Sequence, residues 1–403
     1  MILFLLLFWM IIGLYKVKLN KDFFHPLIVY IFPFLIQYIA YLVLYAGNSS
    51  VSDKTLLIYA VSIVLYCFGI SIGESFFSRC LKVNQSNEIY IYNGSILFYT
   101  LVTFIGVLAI LFDIFRHASF SSPAALYQSM RLFINYSDGY SFISKYVPVL
   151  YYVIFGCYLY NNSDIIHKPN EHKKFVFRTA ILAFFAVISF ARTEIIMVLC
   201  VFTYCLLYKK RDKIFNNKQL MKNVIKILTG VFIIVLFFVW IAKATNKSGS
   251  DLISSQDYFL WKYLGYPIVT LDKYCTENPG VSSGYFILGT VGKILGNAGV
   301  IDMGFIHLMP RAGTFNVFSY IGPIYLDVGN WYILIQFLLG FFVAYLYVQN
   351  NYKGGRWTVF YSFYLYAIVM SFYGFQYTLT QFVYVVLCFG IINFINKIRI
   401  GSK

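Results

Sequence analysis

Residues 175–208 form an almost unbroken apolar run of 34 residues, with two charges, Arg192 and Glu194, near its middle. As one continuous helix it would be about 51 Å long, against a bilayer hydrocarbon core of about 30 Å. It is therefore either one long tilted helix or two short limbs with Arg192 and Glu194 at the turn. Flanking charge favours the hairpin. Lys168, Lys173 and Lys174 precede the run, and Lys209, Lys210, Arg211 and Lys213 follow it. Basic clusters at span ends stay in the cytoplasm, and only a hairpin keeps both there. Each limb has about 15 residues, roughly 22 Å, which leaves the tip below the outer headgroups. Charges at that depth are costly. They mark either a working site or a self-neutralised Arg–Glu turn.

The rest of the chain has the same character. It is 60% hydrophobic, 21% aromatic and only 12% charged, which excludes an ordinary soluble domain. The apolar runs are long and solid rather than alternating, so they predict helices and not a barrel. The fold class expected is all-α: a polytopic integral membrane protein with about eleven transmembrane helices. The spans fall at 2–15, 25–46, 55–77, 95–115, 142–160, 175–189, 195–208, 224–242, 330–348, 357–373 and 379–396. Residues 1–242 then hold helices 1–8, residues 243–329 form one large extracytoplasmic loop, and residues 330–403 hold helices 9–11 and a cytoplasmic tail. Residues 1–15 read as an anchor with its N-terminus outside, because Lys16, Lys18 and Lys21 follow the apolar stretch and no small-residue cleavage site does.

Net charge is +16, and topology accounts for it without nucleic acid. Alternating the sides from an external N-terminus gives the inside 21 basic and six acidic residues, and the outside 11 and ten. That leaves +15 against +1, as the positive-inside rule requires. Seven cysteines show no CxxC pair or metal spacing, so neither a structural disulfide nor a metal site is expected.

Two external segments are long. Residues 123–136 place Leu126, Met130 and Phe133 at helical spacing, which suits a helix lying on the membrane. Within the large loop, 258–275 is aromatic-rich and reads as a second interfacial helix. Residues 284–299 are apolar and glycine-punctuated, and are either re-entrant or a twelfth span.

The polar residues of interest gather at the outer face: Asp113, Arg116, His117, Arg131, Arg192, Glu194, His307, Arg311 and Asp327. Arginine forks make paired charge-assisted bonds to phosphate oxygens and stay charged at membrane depth. Several such groups suit a lipid diphosphate. Arg116 and Arg131 serve equally well for anionic headgroups. Inverting group transfer needs a base near an acceptor hydroxyl and positive charge on the departing diphosphate. Arg192 and Arg311 fit the second need, with Glu194 orienting Arg192.

The segment TFNVFSYIGPIYLDVGNWYILIQFLLG (314–340) carries a resemblance. Thr314, Asn316 and Val317, then Asp327, Gly329 and Gly340, resemble the C-terminal block of the Wzy-type oligosaccharide repeat-unit polymerases of O-antigen and capsule synthesis. Ser189-x-x-Arg192 is similar to the same family's arginine motif at a span start. The likeness covers these short motifs, the span count and the late external loop. It implies a multi-span, GT-C-like glycosyltransferase that uses polyprenyl-diphosphate-linked oligosaccharides, inverts, and needs no metal or cofactor. It implies a bacterial cytoplasmic membrane, an active site on the extracytoplasmic face, and a chain-length regulator and flippase as pathway partners. Arg192, Arg311, His307, Asp327 and Glu194 would be catalytic, and Arg116, His117, Arg131 and Asn316 would bind substrate. The related ligases carry a His directly before this Asn, where the present chain has Phe315. The general base therefore stays open among His307, Asp327 and Glu194. The alternatives are an O-antigen ligase-like transferase and a lipid-linked oligosaccharide flippase. A flippase should show charges within several spans and related halves.

Overall fold

The computed structural model describes residues 1–46, 51–80, 93–122, 142–161, 192–211, 264–277, 285–289, 319–378 and 380–401, with single positions in 125–130, 173–181, 222 and 291–300. All regular structure among them is helical: α1 (Ile2–Asn20), α2 (Pro26–Leu44), α3 (Asp53–Cys80), α4 (Asn93–His117), α5 (Phe142–Asn161), α6 (Arg192–Leu207), α7 (Tyr266–Glu277), α8 (Tyr285–Leu288), α9 (Ile321–Val328), α10 (Tyr332–Lys353), α11 (Arg356–Val369) and α12 (Thr380–Gly401). Among the described residues α1, α2, α3 and the stretch Ile321–Lys353 have the length and apolarity to cross a membrane. The chain is a helical membrane protein. The eighth predicted span, 224–242, lies outside the described residues.

The helices fall into two compact units. The first combines Met1–Gln85, Gln256–Lys353 and Tyr364–Thr380; the second combines Ser86–Ser255, Gly354–Phe363 and Gln381–Lys403.

In the first unit, α1 and α2 form a tight hairpin for local reasons. Lys21 takes the left-handed conformation and its N–H closes on Val17 O, ending α1. Asp22 Oδ1 then accepts from Phe24 N at 2.9 Å. His25 Nδ1 accepts from Leu27 N at 3.3 Å, and Pro26 stands at the first helical position, where its missing N–H costs nothing.

The unit's main seam joins α3 to α10. Gly69 and Gly73 stand four apart on α3. A Cβ added at Gly69 would strike Phe337 O, and one at Gly73 would lie 2.8 Å from Ala344 Cβ. From the other side, a Cβ at Gly340 would strike Tyr66 O. The two backbones touch because side chains are missing at these points, the small-residue packing that replaces the hydrophobic effect between helices in lipid.

The predicted ninth span, 330–348, corresponds to α10 (Tyr332–Lys353), but it is preceded by a separate short helix, α9, within the stretch expected to be loop, and the chain reverses between the two. Gly329 at φ 54°, ψ −129° makes the break. A straight helix would hold Tyr320 and Gly340 about 30 Å apart. Instead the Tyr320 ring lies 5.9 Å from the Tyr66 ring, and Gly340 abuts Tyr66 O. So α9 is a half-length helix that climbs beside α3 and hands over to α10, which descends.

Of the predicted interfacial helix at 258–275, the described part is α7, and it is not free. Ile268, Leu271 and Tyr274 are fully buried, against α2, α3 and α9. Of the glycine-rich stretch 284–299, α8 and a turn at Gly289 (φ 53°) are described. A Cβ at Gly289 would strike the Thr378 backbone.

In the second unit α5 packs against α4 and α6, and its residues 151–160 are all buried. Gly156 lets it close on Val359 and Val201. Basic side chains cap the aromatic ends: Arg178 lies 4.1 Å over Tyr158, Lys209 4.5 Å over Tyr160, and Arg211 4.6 Å over Tyr208. In the segment predicted to lie on the membrane, Ser122 caps a helical turn by accepting from Ala125 N at 3.0 Å, and Met130 is fully buried. Phe133 lies outside the described residues.

Candidate functional site

The first unit contains a place where helices stop inside the bundle. α11 gives way to a short 3-10 turn ending at Phe372, and 373–378 are irregular. The chain into α9 arrives at Ser319–Tyr320. These two interruptions pair through the backbone: Tyr320 N–H donates to Ser371 O at 2.9 Å. The Phe372 carbonyl is met by Gln37 Nε2 at 2.7 Å. Irregular backbone inside a membrane bundle must find such partners or face a cavity.

Six rings and a serine enclose the junction: Tyr30, Phe34, Tyr59, Tyr66, Tyr320 and Tyr377, with Ser371. All are buried. Tyr30 stacks on Tyr66 at 3.9 Å. The Tyr30 and Tyr320 hydroxyls share a hydrogen bond of 2.7 Å, as do those of Tyr66 and Tyr377. Tyr377 continues to the Ser371 hydroxyl at 2.7 Å, which donates to Ala367 O at 2.9 Å. Tyr59 donates to Gln37 Oε1 at 3.1 Å. The Ser319 hydroxyl and the Gln336 amide are buried without a hydrogen-bond partner among the described residues. Orphaned polar groups of this kind are where water or a polar ligand is accommodated.

Above the junction, two carboxylates lock the large loop onto the spans. Asp327 is 1% exposed, and its Oδ2 accepts from Ile287 N at 2.6 Å. It thus serves the first turn of α8, where free N–H groups need an acceptor. Asp272, on α7, accepts through Oδ1 from Ser52 N at 3.0 Å, the Ser52 hydroxyl at 2.6 Å and the Thr55 hydroxyl at 2.7 Å. This places a negative charge at the N-terminus of α3, where the helix dipole favours it. Lys54 Nζ reaches Cys275 O at 3.2 Å. Burial pushes the Cys275 thiol up to about 11 and raises the Tyr274 phenol as well.

The predicted site residues divide among these places. Asp327 belongs to the first unit, at the foot of the loop. In the second unit Arg116 and His117 are exposed in the last turn of α4, where cations suit the helix dipole. Asp113, one turn earlier, is buried. Arg192 opens α6 and Glu194 stands two residues on; their side chains, and Arg131, His307, Arg311 and Asn316 altogether, lie outside the described residues. The hairpin tip before Arg192 does too.

One cluster was missed. Glu74, 9% exposed on α3, accepts from Asn20 Nδ2 at 2.9 Å, pairs with Lys16 Nζ at 3.0 Å, and faces His25 Nε2 at 3.4 Å. Because His25 Nδ1 already accepts from Leu27 N, its proton belongs on Nε2, toward the carboxylate. The His25 ring also meets Tyr347 edge-on at 4.9 Å. The signal was a lone Glu and a lone His at the ends of apolar runs.

Among the described residues no group of three His, Cys, Asp or Glu is placed to hold a metal ion. The seven cysteines are free. Comparison with protein-family models, with curated proteins and with solved structures gives no match.

Proposed function

We propose that this chain polymerises polyprenyl-diphosphate-linked oligosaccharide repeat units at the outer face of a bacterial cytoplasmic membrane, by inverting glycosyl transfer on a multi-span scaffold of the GT-C kind. The observation that carries the reading is the buried tyrosine junction at Ser319–Tyr320, where two interrupted helices meet; in the sequence it directly follows the motif residues Thr314, Asn316 and Val317. The Ser319 hydroxyl and the Gln336 amide, buried there without a partner among the described residues, suit the hydroxyls of a glycan. In this proposal Arg192 and Arg311 neutralise the departing diphosphate. His307 and Glu194 remain candidates for the base. Asp327 is assigned here to holding the loop, through the Oδ2 that accepts the Ile287 N–H.

The test is the surface glycan of a deletion strain complemented with variants. Arg192→Ala should leave single repeat units on the lipid anchor while the protein still inserts. Normal banding would remove Arg192 from the site. Arg311→Lys should also shorten or abolish the ladder, because a point charge lacks the paired fork; a full ladder there would remove the bidentate role.

A second reading, a lipid-linked oligosaccharide transporter, gains from the partly buried Lys16–Glu74–His25 cluster, since ionisable groups within spans commonly line transport paths. A transporter defect leaves no repeat units outside, which separates it from the polymerase.

A further inference from the structure

The second unit has an open groove of about 310 Å³ between the start of α11 and the middle of α12. Trp357 and Phe360 form one wall, and Val386, Phe389 and Gly390 the other. Arg356 and Asn393 complete the lining and are its polar residues. Consecutive helices joined by a short connection run antiparallel, which brings Arg356, at the beginning of α11, beside Asn393 in the later turns of α12. The rest of the lining is apolar.

Glycine at 390 faces open space on the groove wall: a Cβ there would meet no atom within 4 Å. Val386 on its rim is 56% exposed. Its outline therefore matches one amphipathic molecule, with a chain along the aromatic wall and a head at Arg356. Charge selects the head. Arg356 presents a guanidinium, Asn393 adds an amide donor, and the neighbouring sequence supplies Lys353, Lys397, Arg399 and Lys403 with no acidic residue from 328 to 403. Trp357, next to Arg356, is the residue type that settles at headgroup level.

We propose that this groove binds one anionic phospholipid, its phosphate on Arg356 and one acyl chain between Phe360 and Gly390. The site is separate from the proposed glycan chemistry and does not rest on it. A juxtamembrane basic residue gains about 1 kcal/mol on an anionic lipid surface, or about fivefold in occupancy.

The test uses the purified full chain in nanodiscs doped with photoactivatable phosphatidylglycerol or phosphatidylcholine carrying the same acyl chains. Labelling of the segments 356–360 and 386–393 is read by mass spectrometry. Phosphatidylglycerol should label them about fivefold more than phosphatidylcholine. Arg356→Gln should remove that preference and leave the choline lipid signal unchanged. Gly390→Leu, which enters free space and so leaves the helices in place, should lower labelling by both lipids. Equal labelling by the two lipids in the native chain would overturn the proposal, since it would mean bulk bilayer lipid only. A preference that survives Arg356→Gln, or labelling that ignores Gly390→Leu, would overturn it as well. Unchanged melting temperatures of the two variants separate these results from misfolding.

Discussion

Asp327 shows how a single residue's role turns on what its oxygens already hold. Within the motif block it is a natural candidate base. In the structure it is buried and accepts a 2.6 Å hydrogen bond from Ile287 N. Asparagine keeps a carbonyl oxygen for that bond, so Asp327→Asn should retain most chain-extending activity. Asp327→Ala leaves a buried N–H without its partner, a loss of about 1–3 kcal/mol, and should lower the melting temperature. Loss of activity in the asparagine variant at an unchanged melting temperature would restore Asp327 as the base. Asp272 makes a parallel case with three bonds to one oxygen at the start of α3. Asp272→Ala should cost about 1–2 kcal/mol, the ordinary worth of a helix cap, measured as reduced thermal stability in detergent. An unchanged melting temperature would mean the loop is held elsewhere.

At the scale of elements the seam between α3 and α10 governs the first unit. Gly69 faces the Phe337 carbonyl and Gly340 faces the Tyr66 carbonyl, so a side chain at either point must push two helices apart. Gly69→Leu or Gly340→Leu should destabilise by about 1–3 kcal/mol or more. Alanine should be milder but still harmful, whereas Gly390→Ala, in open space, should be neutral. Equal tolerance at positions 69 and 390 in a thermal-shift assay would contradict the seam. The spacing Gly69-x-x-x-Gly73 was there to be read, and hydropathy alone passed over it. The reversal at Gly329 was less legible. The 321–353 stretch is apolar on both sides of the turn, so composition continues where the backbone does not. Only the positive φ at Gly329 and the return of both ends to Tyr66 reveal half a helix.

For the whole molecule, long apolar runs announced a helical membrane protein, and the described helices overlap those runs, while 224–242 and most of 175–189 lie outside the described residues. Charge counting also fixed an expected sidedness, which depends on no side-chain contact. Cys80, exposed at the end of α3, is expected to be cytoplasmic, and Cys275 external but buried. Burial holds the Cys275 thiol up at about 11, so it stays protonated at pH 8 and should react slowly. A membrane-impermeant maleimide should therefore label neither cysteine in intact cells, and should label Cys80 once the membrane is opened. Labelling of Cys80 from outside would invert the topology. The site was less legible than the fold because its parts come from separated stretches. Tyrosines 30, 66, 320 and 377 carry no charge or spacing that betrays their meeting. Glu74 and His25 looked like ordinary residues at span ends until α1, α2 and α3 were packed together.

The most direct test is reconstitution. The purified chain is placed in liposomes containing polyprenyl-diphosphate-linked repeat units, and the lipid-linked glycans are resolved by size. A polymerase yields a ladder of multiples that Arg192→Ala abolishes. Single units that never lengthen, but pass from one leaflet to the other only when the chain is present, would contradict the account and make the protein a transporter.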